Sequence, residues 1–326
     1  MRNVTLAAVQ GSDIPFDRRF DCLSDGFVDE PAVIMKEHVM PRLNKQLDLL
    51  EQCAGEGIVL ALTNEDICNL GWFLTADEGL FSQLVLLSAQ AAEERLSALA
   101  LKSGMYIAAC YIKRISDKNY NIVSIFGPCG KILGEYRKTH VPPNEMWQYA
   151  DGDELNTIEL DFGKIGVLIC YDMMFPEAAS SLAASGVEVI LHPTAGYGWY
   201  DSIGEATLRT RANDNSCYIL TAKNYVYNAA GKSSIIDPWG QVLAEAGFYK
   251  DVIVSKTVDL DIEKTQPEWF YQSQMSGIAN IGKRYRQERR PELYSQLTEK
   301  AKRLRVPDQQ ERAKLREKIR NGECHW

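Results

Sequence analysis

The sequence predicts an α/β protein built on mixed β-sheets with helices outside them. Three observations carry this. Short runs that are apolar at nearly every position recur along the chain, the mark of strands covered on both faces. Helical patterns lie between several of these runs. Two further pairs of runs flank turn sequences, as hairpins do. Helix-linked strands run parallel and hairpins antiparallel, so the sheets mix both.

The elements follow in order. "VTLAAVQ" (4–10) is the first strand. "AVIMKEHVMPRLNKQLDLLEQCA" (32–54) has a helical pattern that Pro41 interrupts or starts afresh. "GIVLALT" (57–63) is a strand, and "FSQLVLLSAQAAEERLSALALKSG" (81–104) is a long helix with Gly104 as its stop. The strand "MYIAACYI" (105–112) precedes the hairpin "NIVSIFGPCGKILGEY" (121–136), which turns at Gly-Pro-Cys-Gly. Strand "KIGVLIC" (164–170) leads into the helix "PEAASSLAASG" (176–186), which opens on Pro and closes on Gly. Strands "VEVILHP" (187–193) and "CYILTAKN" (217–224) come next, then the hairpin "SSIIDPWGQVLAEAG" (233–247).

Composition narrows the function classes. A net charge of −8 gives no overall basis for binding nucleic acid. No apolar stretch approaches the roughly 20 residues that span a bilayer, and "MRNVTLAAVQGSD" lacks the pattern of a secretion signal. The chain reads as soluble and cytoplasmic, with no membrane association. Its eight cysteines include no CxxC pair, and its four histidines do not pair at helical spacing. The expectation is no catalytic metal and no cofactor. From Lys283 to Arg320 fourteen Lys/Arg stand against six Asp/Glu. Residues 1–282 therefore read as the main domain, and 283–326 as a basic helical arm suited to docking on an acidic body.

The chemistry centres on Cys170. It ends an apolar strand and is followed at once by a helix start, and ligands of α/β sheets bind beyond strand C-termini. A free cysteine is more often packing, but two other strand ends supply suitable partners. "LALTNED" (60–66) delivers Glu65 and "GEYRKTHVPPNE" (134–145) delivers Lys138. A carboxylate base, an ammonium and a thiol can perform acyl transfer. A rival arrangement pairs the thiol with His140 or His192. A rival of another class is a non-catalytic binding or assembly module.

These stretches resemble the nitrilase superfamily, the carbon–nitrogen hydrolases. "YRKTH" resembles the family's lysine motif, "GKIGVLICYDMMFPEAA" its cysteine motif, and "LTNED" occupies the glutamate motif. Further similar stretches are "RTRANDNSCYILTAKN" (209–224), "GKSSIIDPWGQVLAEAG" (231–247) and "RRPELY" (289–294). The resemblance implies a four-layer α-β-β-α sandwich and a Glu65–Lys138–Cys170 triad. It also implies Glu145 as a second carboxylate that hydrogen-bonds the lysine, in a carbamoylase-like stretch. Trp147, Tyr171, Thr194 and Tyr197 are candidate substrate-binding residues. The implied substrate is a small amide or N-carbamoyl compound, with nitriles as the alternative. The implied assembly is a homodimer or higher homo-oligomer. The chain departs from the family in having Thr63-Asn64 before Glu65, where an aromatic or apolar residue and a proline are usual. Its stretch from Ser12 to about Asn44 is also longer than the usual first connection, suggesting a lid or surface insertion.

Overall fold

Each apolar run becomes a strand of one of two six-stranded sheets. The computed structural model describes residues 1–12, 17–21, 24, 26–73, 77–195, 201–225, 231–262, 281–299, 308–321 and 323. The first sheet contains β1 (Asn3–Gln10), β2 (Leu60–Leu62), β3 (Tyr106–Ile115), β4 (Lys118–Phe126), β5 (Ile132–Arg137) and β12 (Val252–Asp259). Their order is β12-β1-β2-β3-β4-β5. The second contains β6 (Thr157–Leu160), β7 (Gly163–Val167), β8 (Val189–Thr194), β9 (Tyr218–Lys223), β10 (Ser234–Ile236) and β11 (Val242–Glu245). Their order is β11-β10-β9-β8-β7-β6. In both sheets the three central strands are parallel and the flanking ones antiparallel.

Alternate residues along each strand divide the core into layers. Leu6, Leu60, Leu62, Val123, Val167, Leu191 and Leu220 meet between the sheets. On the outer face of the first sheet, Ala7, Ala61 and Ile107 pack under helices α1 (Pro31–Ile34), α2 (Met40–Cys53) and α3 (Glu78–Ser103). On the outer face of the second, Ile190 and Ile219 pack under α4 (Pro176–Ala184) and α5 (Asp201–Asn215). This is the four-layer α-β-β-α sandwich that the resemblance implies. No described helix is long and apolar enough to cross a membrane.

One local reading is refined and another corrected. Pro41 starts a helical segment afresh rather than interrupting one. A π-helical stretch, Met35–Val39, sits between α1 and α2, and Pro41 falls in the first turn of α2. A widened turn accommodates the missing proline N–H without ending the helix. The run ending at Cys170 is not strand throughout. Strand β7 stops at Val167, and Cys170 opens a 3₁₀ turn, Cys170–Met174. The described part of the long first connection packs inward. Phe20 and Phe73 lie against the buried His38 ring, with centroids at 5.5 and 4.9 Å.

Candidate active site

Strand ends converge on one cluster. Glu65 follows β2, Lys138 follows β5, and Cys170 lies three residues past β7. The Lys138 backbone extends the ladder. Its N–H donates to Asn121 O at 2.9 Å, and its carbonyl accepts from the Gly152 N–H at 2.7 Å. Only glycine fits at 152, because a Cβ there would lie 2.3 Å from Arg137 O.

The Lys138 ammonium is fully buried between two carboxylates. It donates to Glu65 Oε1 and to Glu145 Oε2, each at 2.9 Å. Glu65 Oε1 also accepts from Asn121 Nδ2 at 2.8 Å, and Oε2 accepts from the Ala195 N–H at 2.8 Å. The Cys170 thiol lies close enough to the Glu65 carboxylate and the Thr194 hydroxyl for each to bear on proton transfer between them.

Burial works to lower the Lys138 pKa, yet Glu65 and Glu145 hold it well above its ordinary value. Burial works to raise the Glu65 pKa, but the Lys138 charge and hydrogen bond bring it below the usual carboxylate range. Burial raises the Glu145 carboxyl against the pull of Lys138, and Glu65 adds to the rise. Burial and the neighbouring Glu65 push the Cys170 thiol up to about 12, with Lys138 pulling the other way. The resting pair is thus a neutral thiol and an ionised carboxylate. Such a thiol gives up its proton during attack rather than before it.

The turn carrying Cys170 is strained and braced. Cys170 has φ 47°, the left-handed region that non-glycine residues seldom occupy. Asp172, wholly buried, holds the turn from both sides. Its Oδ2 accepts from the Ile169 N–H at 2.9 Å and the Tyr136 hydroxyl at 2.9 Å. Its Oδ1 accepts from the His140 N–H at 2.7 Å and the Thr139 hydroxyl at 3.0 Å. One carboxylate thereby ties the loop after Lys138 in the first sheet to the Cys170 turn in the second. Asp172 and Asn121 are the two contributors that sequence reasoning missed. The signals were an acid two residues after the thiol and a polar residue at the head of an apolar run.

The remaining sequence candidates distribute unevenly. Thr194 is buried against the thiol. Tyr171 stands edge-on to Phe175, and both line a cavity of about 520 Å³ that also includes His140, Met146 and Leu297. Trp147 lines a different cavity of about 790 Å³, with Phe81, Arg114 and Tyr149, and neither Lys138 nor Cys170 belongs to its wall. Tyr197 lies outside the described residues. Both histidines have other partners. His192 directs Nε2 at the Cys170 carbonyl oxygen, 3.3 Å away, and Nδ1 at the Thr221 hydroxyl. Burial pushes its pKa down to about 4. His140 stacks on Phe175 and turns Nδ1 to Asp172. The unusual Asn64 is also accounted for. It is buried, accepts from Gln46 Nε2 on α2 at 2.6 Å, and leaves Glu65 in place on Lys138. Among the described residues no group of three His, Cys, Asp or Glu could hold a metal ion.

Comparison with known proteins agrees with this architecture. The carbon–nitrogen hydrolase family matches residues 38–267. The "Hydrolase in pqqF 5'region" of Pseudomonas protegens is 37% identical over 216 residues, 64% of this chain and 70% of that protein. An omega-amidase of Danio rerio is 31% identical over 241 residues, 68% of this chain and 83% of its own length. An amidase of Nesterenkonia sp. AN1, solved in complex with butyramide, superposes with a TM-score of 0.68 at 20% identity. That superposition covers 90% of this chain and 96% of the other, a likeness of fold. The chain belongs to the carbon–nitrogen hydrolases of the nitrilase superfamily.

Proposed function

We propose that this carbon–nitrogen hydrolase is an amidase-type thiol hydrolase acting on a small amide or N-carbamoyl compound. The observation that carries the reading is the buried Lys138 ammonium, held 2.9 Å from Glu65 and 2.9 Å from Glu145, with the Cys170 thiol beside this cluster.

Cys170 Sγ attacks the carbonyl carbon as its proton passes to Glu65. The carbonyl oxygen becomes an oxyanion, which Lys138 and the Tyr171 backbone N–H stabilise. Glu65 returns the proton to the nitrogen, the C–N bond breaks, and ammonia or an amine leaves a thioester on Cys170. Water then attacks the thioester while Glu65 takes its proton. Collapse releases the acid and restores the thiol. No metal or cofactor enters any step.

Glu145 favours amides and ureido groups over nitriles. Its carboxylate can accept a hydrogen bond from a substrate –NH₂, and a nitrile nitrogen carries no such donor. A site built around an acceptor rejects the analogue that leaves it unpaired. The names of the relatives, omega-amidase and amidase, point the same way. Thr194 and Tyr171 are the described candidates for touching substrate. The test is ammonia release from amides, N-carbamoyl compounds and nitriles of matched chain length. The reading expects amides or ureido compounds to turn over and nitriles to lag. Nitriles hydrolysed faster than every matched amide and ureido compound would reverse it.

The segment from Lys283 onward is assigned to subunit docking. Its first described helix, α6 (Ile281–Gln287), reaches the body where Arg286 Nη1 donates to Asn215 O at 3.4 Å. Deleting residues 296–326 is expected to lower the number of subunits per particle, most visibly at high salt, where remaining charge pairs are screened. Light scattering that gives the same number of subunits for both chains at both salt levels would remove this role.

A further inference from the structure

Asn121 pairs within the β3–β4 hairpin and is 2% exposed. A buried side-chain amide needs partners at both ends. Its Oδ1 accepts from the Cys110 thiol at 3.3 Å, and its Nδ2 donates to Glu65 Oε1 at 2.8 Å. The two contacts fix the orientation of the amide, because flipping it would aim an oxygen at the Glu65 carboxylate.

A carboxylate oxygen offers about two acceptor directions. Glu65 Oε1 uses both, for Lys138 Nζ and Asn121 Nδ2. Among the described residues, Oε2 receives one backbone donor, the Ala195 N–H. Counted among the described residues, that leaves one direction on Oε2 for the thiol. We propose that Asn121 is a positioning residue for the base: by filling the second acceptor direction of Glu65 Oε1, it makes Oε2 the oxygen that takes the Cys170 proton. The inference rests on Glu65 acting as the base. A neutral amide suits the task, since it donates a hydrogen bond without adding charge beside a carboxylate. Without it, Lys138 alone would hold Oε1, and the carboxylate would turn more freely about its terminal torsion.

The test uses the full chain and iodoacetamide as the probe, so no physiological substrate is required. Alkylation of Cys170 is followed by intact mass and peptide mapping from about pH 4 to pH 10. Asn121→Leu is expected to slow labelling about 10- to 100-fold, the loss of one hydrogen bond to a charged group. Its acid limb should also move to higher pH, because the ionised form of Glu65 has lost a donor. Asn121→Asp should label almost like the parent at low pH, where its protonated carboxyl still donates to Oε1. It should slow as pH rises and the new charge repels Glu65. Rescue at acid pH is the outcome a merely structural role does not produce, and it decides the matter even if the leucine variant does not fold. Parent-like profiles for both variants, or a uniform reduction at every pH, would overturn the inference. Glu65→Gln separates the two levels. If that variant labels as fast as the parent, the base assignment itself fails. If it is slow while both Asn121 variants keep the parent profile, only the role of Asn121 falls.

Discussion

Among the described residues, two lysines are each bracketed by two glutamates, and the proposed function assigns chemistry to only one of these clusters. Lys138 lies 2.9 Å from Glu65 and 2.9 Å from Glu145. Lys113 lies 2.8 Å from Glu93 and 2.7 Å from Glu135, on the outer face of the same sheet beneath α3. The charges and distances nearly coincide. The surroundings do not. The Lys138 side chain is 0% exposed and Lys113 is 24% exposed. The outer glutamates accept from hydroxyls, Tyr111 to Glu93 and Ser124 to Glu135. The inner Glu65 faces a thiol. A charge constellation is therefore not itself a site. In the proposed mechanism the field of the buried Lys138 would act at short range through little water, where an ammonium stabilises a developing oxyanion strongly. The same triplet near solvent is a structural ion network.

The sharpest way to break the comparison is to remove the thiol. Cys170→Ala is expected to abolish turnover while leaving the fold unchanged, measured by ammonia release and circular dichroism. During turnover by the parent, intact mass should show an acyl adduct mapping to Cys170 alone. Substantial activity in the alanine variant would leave the inner cluster no different in kind from the outer one.

Removing the inner charges comes next. Glu65→Gln keeps the shape but loses the proton acceptor, a loss on the order of 10²–10⁴-fold in kcat. Lys138→Met loses the oxyanion partner, about 10²–10³-fold. The pH profiles should also differ. In the parent, Glu65 ionises below the usual carboxylate range and the thiol stays neutral until about pH 12, so kcat/KM should be flat through neutrality. Without Lys138, burial raises the Glu65 pKa against only the weaker pull of the Ala195 N–H and its other neutral donors, so the acid limb should move up. An unmoved limb in Lys138→Met would mean that the lysine does not set the state of the base.

How much of this was legible in the sequence follows from where each signal resides. Glu65, Lys138 and Cys170 stand just past apolar runs within recognisable motifs, so their convergence could be read locally. Asn121 could not, because its amide faces Glu65 only once β4, β3 and β2 lie side by side. Asp172 gathers donors from Tyr136, Thr139, His140 and Ile169, and no spacing within one motif encodes that set. The end of β7 was misplaced because Leu168 and Ile169 are as buried after the strand as Ile165 and Val167 are within it. Hydrophobicity reports burial and does not mark where a ladder stops. Trp147 lines the cavity with Phe81 and Arg114, a placement that its position in the sequence does not encode.

Glu145→Gln tests the inner cluster more gently. The amide still reaches Lys138 through its oxygen, but the charge is gone and one acceptor face becomes a donor. Amide and ureido turnover should fall about 10- to 100-fold, the scale of one hydrogen bond to a charged group. Alkylation of Cys170 by iodoacetamide should continue, because Glu65 is untouched. Activity equal to the parent would detach the second carboxylate from substrate choice.

The smallest effect is expected where the comparison is most direct. Lys113→Met removes the outer lysine just as Lys138→Met removes the inner one. Turnover should stay within about twofold of the parent, since Lys113 belongs to the α3 face of the sheet and its partners are Glu93 and Glu135 rather than the thiol's. Stability should fall by about 1 kcal/mol, the upper range for a partly exposed ion network, and less at high salt. The pH dependence has a definite sign. Burial works to lower the Lys113 pKa, but its hydrogen bonds to Glu135 and Glu93 raise it above the ordinary lysine value. A group raised in the folded state contributes its full stabilisation below its unfolded pKa, about 10.4, and loses it as pH climbs through the folded value. The difference in denaturant midpoint between parent and variant should therefore be constant through neutral pH and shrink only above that point. A large loss of activity in Lys113→Met, with the fold intact, would show that the outer cluster couples to catalysis and that burial is not what separates the two.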